Sequence, residues 1–303
     1  MVSMIHCLGR LRRNPWQLML TLCLAYAVFV LGSRYDFTTA SGGADVALLS
    51  SSTNGMTTAS PILRYLRIAD NNVDVWDNLH QYKFAMNSNN CKDRASIVVI
   101  VHTAMYNFKK RQKIRKITSG SDAKHGSVLT VVFFVGQTNN ASLQTEVKRE
   151  SQKYRDMVQG NFIDSYHNMT HKHIMAFHWV LTYCKNVKYV IKIDDDVILH
   201  TNNVLRYLLF NPIPAGNILC FLIVRSKRLK VGKWAVAEKD YPFPRYPPYC
   251  GGFAYMTTLP VIKKLYRTSA NIQSIWIDDA YATGILALAS DTKLIELPKG
   301  TRM

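Results

Sequence analysis

Three consecutive aspartates, Asp194, Asp195 and Asp196, follow directly on the apolar run Tyr189-Val190-Ile191-Lys192-Ile193. Three carboxylates so close repel one another unless a cation or a helix N-terminus compensates them, and hard divalent ions bind such oxygens well. Asp194 and Asp196 are therefore candidate metal ligands, with a solvated helix-capping turn as the plain alternative. A second acidic pair, Asp278-Asp279, precedes a helix-compatible run at 280–288. A metal at the first cluster would bridge a nucleotide diphosphate and neutralise the charge that develops as a sugar departs. Inverting glycosyl transfer also needs a carboxylate to take the acceptor proton on the opposite face. Asp279, with Asp278 beside it, is the candidate for that role; an N-cap is the bland reading, and both can coexist.

Between the acidic clusters, Tyr246-Pro247-Pro248-Tyr249-Cys250-Gly251-Gly252 combines rigid prolines, aromatic faces and glycines that permit close backbone approach. Tyr246, Tyr249, Gly251 and Gly252 are candidate sugar contacts on the acceptor side, against a reading of ordinary packing. Upstream, the run 111–116 places Arg111 and Arg115 where guanidinium groups could meet phosphate, although a solvated basic helix face would look the same. His167, His171, His173 and His178 cluster locally, but they read as core or surface histidines rather than a zinc site.

These residues need a scaffold, and the pattern supplies one. Apolar, Val/Ile-rich runs predict strands at 95–101, 128–135 and 189–193, and helices are expected at 107–116, 143–157 and 171–184. In the last, Ile174, Phe177, Leu181 and Cys184 recur at helical spacing and form a stripe able to cover a mostly parallel sheet. The class is α/β. Ligands of such sheets collect beyond the C-terminal ends of strands, which is where residues 194–196 fall.

The chain has 303 residues, 48% of them hydrophobic, enough for one catalytic-size domain after a tail and linker are set aside. Its 38 Lys and Arg against 20 Asp and Glu give a net charge of +18, which favours a membrane surface, a phosphorylated substrate or nucleic acid. Nucleic acid is set aside, because no zinc-finger spacing appears and the basic residues are scattered through strand and helix patterns. Residues 16–31 carry no charge and follow Arg10, Arg12 and Arg13, as in a short membrane anchor with its N-terminus in the cytoplasm. Ala25-Tyr26-Ala27 leaves a cleaved signal peptide as the alternative. Residues 36–60 are dominated by Ser, Thr, Gly and Ala and read as a flexible stem. The expected layout is a cytoplasmic tail at 1–15, a transmembrane anchor at 16–32, stem and transition at 33–90, and a luminal domain at 91–303. In an oxidising lumen Cys91, Cys184, Cys220 and Cys250 form up to two disulfides, with the pairing open. Asn140 and Asn168 stand in glycosylation sequons.

Taken in order, the motifs resemble the β-1,3-galactosyltransferase and β-1,3-N-acetylglucosaminyltransferase family (glycosyltransferase family 31) over roughly residues 96–289. Residues 111–117 resemble its Arg-Arg-x-Ala-Ile-Arg-x-Thr-Trp block, and 164–170 its Asp-Ser-Tyr-x-Asn-Leu-Thr block. Residues 192–197 resemble Lys-x-Asp-Asp-Asp-Val, 246–252 resemble Tyr-Pro-x-Tyr-Cys-x-Gly, and 278–284 resemble Glu-Asp-Val-Tyr-x-Gly with Asp278 for Glu. The resemblance implies a Rossmann-like GT-A fold, a UDP-sugar donor, Mn²⁺ at the Asp triplet and inversion at the anomeric carbon. It also implies a type II Golgi membrane topology. It assigns Arg111, Arg115, Asp164, Lys192, Asp194 and Asp195 to donor binding and Asp279 to the base. The activity so implied is transfer of galactose or N-acetylhexosamine in β-1,3 linkage to a glycoprotein or glycolipid, by a protein compatible with homo- or hetero-oligomers. A catalytically silent relative that binds or assembles an active transferase is the second reading, motivated by the absence of any His after Asp279.

Overall fold

Val98, Ile100, Val132, Phe134 and Val190 point into one apolar cluster, while their strand neighbours Ile97, Val99, Val101, Phe133, Val135 and Ile191 point into another. Strands buried on both faces read as continuous apolar runs rather than alternating ones, which is why these segments are so rich in Val and Ile. The computed structural model describes residues 60–66, 83–88, 90–91, 95–119 and 128–298. The expected tail and anchor, and most of the expected stem, lie outside these residues. Among the described residues no helix is long and apolar enough to cross a membrane.

In chain order the elements are helix α1 (Pro61–Leu66), strand β1 (Ala95–His102), α2 (Phe108–Thr118), β2 (Val128–Gln137), α3 (Ala141–Tyr154), β3 (Met157–Ile163), α4 (Met169–Tyr183) and β4 (Tyr189–Asp194). There follow α5 (Thr201–Phe210), β5 (Asn217–Ile223), β6 (Tyr249–Thr258), α6 (Leu259–Ser269), a π-helix (Ala280–Ile285), the short α7 (Leu286–Ala289) and β7 (Lys293–Glu296). The strands form a seven-stranded sheet in the order β3-β2-β1-β4-β6-β5-β7. All neighbours are parallel except β6, which runs antiparallel to both β4 and β5. Helices α2, α3 and α5 contribute Ile114, Val147 and Val204 to one core, and α4, α6 and the π-helix contribute Phe177, Leu265 and Tyr281 to the other. The α/β expectation with a mostly parallel sheet holds.

Three differences from the sequence reading have physical causes. The helix expected at 143–157 starts earlier, because the Asn140 side chain accepts from Leu143 N at 3.0 Å as its cap. It ends at Tyr154, where Arg155 takes a left-handed conformation (φ 56°) and turns the chain into β3, a strand not expected from the sequence. Secondly, the fold reaches back past the expected boundary at 91. Leu66 is fully buried in the core, Met86 bridges Gln159 on β3, and Asn87 accepts from the Trp179 indole at 2.7 Å. Thirdly, the helix expected at 280–288 opens as a π-helix. Among the described residues four cysteines pair as Cys91–Cys184 and Cys220–Cys250, the first tying the start of the sheet to the end of α4.

The topology creates one privileged place. From β1 the chain moves outward to β2 and β3, then crosses by α4 to β4 on the other side of β1. The chain therefore leaves the C-terminal ends of β1 and β4 toward opposite sides, a switch point, and His102 at the end of β1 is in register with Asp194 at the end of β4.

Candidate functional site

The Asp triplet leaves β4 at this switch point, and its members separate by environment. Asp195 turns beneath the loop that follows β1, where Thr103 Oγ1 donates at 2.7 Å, Asn107 Nδ2 at 2.6 Å and Lys110 Nζ at 2.7 Å. Asn107 is the N-cap residue of α2 and makes no side-chain cap; its Nδ2 donates to Asp195. Burial alone would push the Asp195 carboxyl up, but donation from Lys110, Thr103 and Asn107 outweighs it and holds the carboxyl below its ordinary value.

Asp194 leans to the other side and accepts from Lys192 Nζ at 2.7 Å. Lys192 is buried, donates also to the Gly252 carbonyl, and lies 3.8 Å from Asp279 Oδ1. Burial opposes its charge, but Asp194, Asp279 and Asp278 overcome that and keep it protonated. One lysine thus links the two acidic clusters that the sequence separates.

Asp278 and Asp279 sit where the chain enters the π-helix. Asp278 Oδ2 is 2.9 Å from His173 Nδ1 on α4, and His173 Nε2 is 2.8 Å from the Tyr255 hydroxyl on β6. His102 Nδ1 lies 3.8 Å from the same Asp278 oxygen. Burial pushes both histidines below their ordinary value, in His173 against the opposing pull of Asp278. The two acids diverge. Burial would raise Asp278, but His173 and Lys192 hold it low, whereas burial and the neighbouring Asp278 charge push Asp279 well up. Two carboxyls with separated affinities, one ionised and one proton-seeking, are a usual acid–base arrangement.

Gly252 is required by this packing. A Cβ there would come within 2.0 Å of Asp279 Oδ2, so β6 can pass the carboxyl only without a side chain. The π-helix fits the same corner: Thr283 Oγ1 accepts from Cys250 N at 2.9 Å and donates to the Asp279 carbonyl at 2.8 Å. Such widened turns recur at functional sites.

The other sequence candidates fall differently. Arg111 is fully buried and its guanidinium is consumed by Glu150 (2.6 Å) and the carbonyls of Ala104 (2.7 Å) and Met105 (3.0 Å). Arg115 binds Glu150 and Asp156, each at 2.6 Å. Neither side chain is free for a phosphate as expected; together they brace the loop that carries Thr103 and Asn107 to Asp195. Asp164 is similarly engaged, by Gly136 N at 2.7 Å and Lys172 Nζ at 3.1 Å. Tyr246 is buried and stacked on Tyr241 at 4.8 Å, so it is not an open sugar platform. Tyr249 is half-buried with its hydroxyl 3.1 Å from Ser226 Oγ, and Gly251 faces Phe221 and Phe253 rather than the acids. Asn140 is exposed, but the Asn168 amide donates to the Ile163 carbonyl at 2.8 Å and Thr170 is buried.

The sequence reading missed His102 and Tyr255, and left His173 without a partner. A polar residue just after a buried strand is the signal that marks His102; Tyr255 lies within a strand and gives none. Also missed was the exposed pair Tyr166 and Trp234, whose indole donates to the Tyr166 hydroxyl, with Trp276 packed against Tyr166 at 5.6 Å.

The donor set tests the metal expectation. Asp196 is exposed and Asp194 keeps one oxygen outside its Lys192 contact, so the turn offers hard carboxylate oxygens suited to Mg²⁺ or Mn²⁺. Asp195 is excluded because its oxygens are taken. Among the described residues His102, His173 and Asp278 also bring ligand-type atoms within 4.8 Å of one another. Lys192 and Lys172 act on His102 there, and His173 spends both nitrogens on hydrogen bonds, so this group reads as a network that orients Asp278.

Comparison with known proteins supports the family resemblance. A family model described as galactosyltransferase matches residues 109–298. The β-1,3-galactosyltransferase 1 of Mus musculus is 30% identical over 210 residues, covering 67% of this chain and 64% of that protein. Lactosylceramide 1,3-N-acetyl-β-D-glucosaminyltransferase A of Xenopus laevis is 28% identical over 221 residues, covering 69% of this chain and 59% of that protein. The chain therefore spans under two thirds of the length of these curated relatives. Among solved structures, a mannosyltransferase from Pyrobaculum calidifontis in complex with GDP-Man and Mn²⁺ aligns with a TM-score of 0.41 at 11% identity, covering 74% of this chain and 61% of that one.

Proposed function

The chain belongs to the galactosyltransferase family, and on that premise we propose that it is an inverting hexosyltransferase of the GT-A type. It moves galactose or an N-acetylhexosamine from a UDP-sugar to a glycan acceptor in β-1,3 linkage. The observation that carries the reading is the Lys192 ammonium between Asp194 and Asp279, which puts a donor-side acid and an acceptor-side acid in one crevice at the sheet's switch point.

In this reading Asp194 and Asp196 would hold a divalent ion, Mn²⁺ by family resemblance, which would supply positive charge against the diphosphate of the UDP leaving group. Asp195 keeps the turn in place through Thr103, Asn107 and Lys110, and Lys192 sets the spacing between the clusters. Asp279 takes the proton of the attacking acceptor hydroxyl, the role its raised proton affinity suits. Asp278, fixed by His173, keeps Asp279 oriented and electrostatically proton-seeking. Arg111, Arg115 and Asp164 act by bracing the walls of the crevice.

The protein is further proposed to be a single-pass type II protein of the Golgi membrane, with tail 1–15, anchor 16–32 and a stem before the luminal domain, and Asn140 as its glycan-bearing residue. Screening UDP release over UDP-galactose, UDP-N-acetylglucosamine and UDP-N-acetylgalactosamine with Mn²⁺ and an acceptor panel tests the function. Release that needs both acceptor and metal, from one donor, supports it. A folded protein that neither binds UDP nor turns over any donor would instead be a silent partner of an active transferase.

A further inference from the structure

Between β5 and β6 the chain makes a projection whose cations the fold leaves without acids. Residues 224–234 read Val-Arg-Ser-Lys-Arg-Leu-Lys-Val-Gly-Lys-Trp, with five basic side chains and no acid. The projection is rooted in a two-stranded ribbon, where Arg228 N donates to the Pro244 carbonyl and Tyr246 N to the Ser226 carbonyl, each at 3.0 Å. That pairing sets Lys227 directly opposite Arg245, and like charges so placed repel across the ribbon. The Arg245 guanidinium donates to the Arg225 carbonyl at 2.8 Å, a neutral acceptor. Arg225, Lys227, Lys230, Lys233 and Arg245 are all exposed, and among the described residues none of them has an acidic partner; in this ribbon only Arg228 has one, Glu238 at 3.2 Å. An anion lying over the ribbon relieves the repulsion through charge-assisted hydrogen bonds.

Both ends of the projection reach the acidic crevice. At its base the Ser226 hydroxyl lies 3.1 Å from the Tyr249 hydroxyl, and Tyr249 packs on Gly284 of the π-helix that Asp279 leads into. At its far end the Trp234 indole donates to the Tyr166 hydroxyl, Lys233 Nζ lies 4.7 Å over the Tyr166 ring, and Trp276 packs against Tyr166 at 5.6 Å. Trp234 is 52% exposed and Tyr166 44%, so two aromatic rings stand open where the charges of Asp278, Asp279 and Asp194 still act on Tyr166. Open aromatic faces suit the apolar face of a sugar ring.

We propose that this projection is the subsite for an anionic acceptor, a glycan that carries sulfate or carboxylate groups on the sugars behind its terminal residue. This rests on the transferase reading above. The terminal sugar itself is uncharged, because ionised Asp278 repels an anion placed beside it. Sugars further back lie over Trp234 and Tyr166, and their anionic groups meet Lys233, Lys230 and the Lys227–Arg245 pair. A neutral acceptor would leave that pair unrelieved. An acidic protein would match the cations but not the aromatic faces that join them to the crevice.

Calorimetric titration of the full chain reads the subsite without turnover. The probes are a neutral N-acetyllactosamine tetrasaccharide, its sulfated form, and a hyaluronan tetrasaccharide, whose charges are carboxylates alone. The wild type is expected to bind the sulfated form, the hyaluronan or both about tenfold more tightly than the neutral one, and the tighter of the two names the anion. An exposed ion pair changes affinity by up to about fivefold, so Lys227→Ala with Lys230→Ala should cut that preference by about tenfold, while Lys227→Arg with Lys230→Arg keeps it. Lys185→Ala with Lys263→Ala removes the same charge from exposed positions after α4 and on α6 and should leave the preference intact. An equal cut in that control, or no preference for either charged probe, overturns the proposal. In transfer assays on the same tetrasaccharides, Lys227→Ala with Lys230→Ala should raise KM for the charged acceptor and leave KM for the UDP-sugar unmoved. A rise in KM for the UDP-sugar alone would give the cations to the donor diphosphate and overturn the assignment. Charged-probe binding that the two alanine substitutions weaken, with no turnover of any acceptor, would sink the transferase reading and leave the anion-binding surface standing.

Discussion

Asp278 and Asp279 are chain neighbours with opposite proton affinities, and the difference comes from what each one faces. Asp278 faces the His173 imidazole and Lys192, while Asp279 faces Gly252, Lys192 and the charge of Asp278 itself. Replacing Asp279 by Asn keeps the shape and removes the proton acceptor, so turnover should fall by about 10²- to 10⁴-fold with the circular dichroism spectrum unchanged. Retained turnover would assign the base elsewhere. At the Asp triplet, Asp195 has its folded affinity depressed by its three donors, Lys110 foremost. A depressed carboxyl contributes stability that is present above the unfolded value of about 3.9 and is lost as pH falls through the folded value. Lys110→Met removes one donor, and its acid-unfolding midpoint, followed by tryptophan fluorescence, should move to higher pH than wild type. An unchanged midpoint would mean the Lys110 contact contributes nothing to the fold. At this scale the sequence exposed the acids, because runs of aspartate beside an apolar strand are conspicuous. It hid their partners, because His102, His173 and Tyr255 come from three separate elements and meet only in the folded sheet.

Strand β6 and the π-helix decide the geometry that these acids share. A methyl group at Gly252 would overlap Asp279 Oδ2, so Gly252→Ala should displace that carboxylate and lower kcat by at least about tenfold, the sensitivity expected of a misplaced catalytic group, while the domain remains folded. A fully active Gly252→Ala enzyme would show that Asp279 need not occupy its observed position. The Cys91–Cys184 bond joins the edge of β1 to the end of α4 across 93 residues of chain. Cys91→Ser with Cys184→Ser should cost about 2 to 4 kcal/mol in urea unfolding, and a loss near zero would mean the bond is dispensable. The main strands were legible because both of their faces are buried. Strand β3 was not, since Gln159 and Asn161 interrupt its apolar character and α3 ends only through the left-handed turn at Arg155. Arg111 shows the converse error: a basic residue at a crevice suggested a ligand contact, but Glu150, which satisfies it, sits on α3 far along the chain.

For the whole molecule, the sheet order matters more than any single motif. Four parallel strands place the ends of β1 and β4 together, and the antiparallel β6 brings Gly252, and with it Asp279, to the same rim. Two apolar cores, one on each sheet face, pack the strands that end at that rim. The net charge of +18 suggested an anionic partner from composition alone, but only the fold shows that one group of these cations projects on a braced loop beside the crevice. One crevice is proposed to hold both donor and acceptor chemistry. The measurement that bears on it most directly is acceptor-dependent UDP release by the full chain with Mn²⁺, run beside Asp194→Asn and Asp279→Asn and repeated with EDTA. Release by wild type that EDTA and either substitution abolishes, with UDP binding kept by Asp279→Asn and weakened in Asp194→Asn, is the result predicted. Release that survives both substitutions and EDTA would place the chemistry outside this crevice and contradict the account.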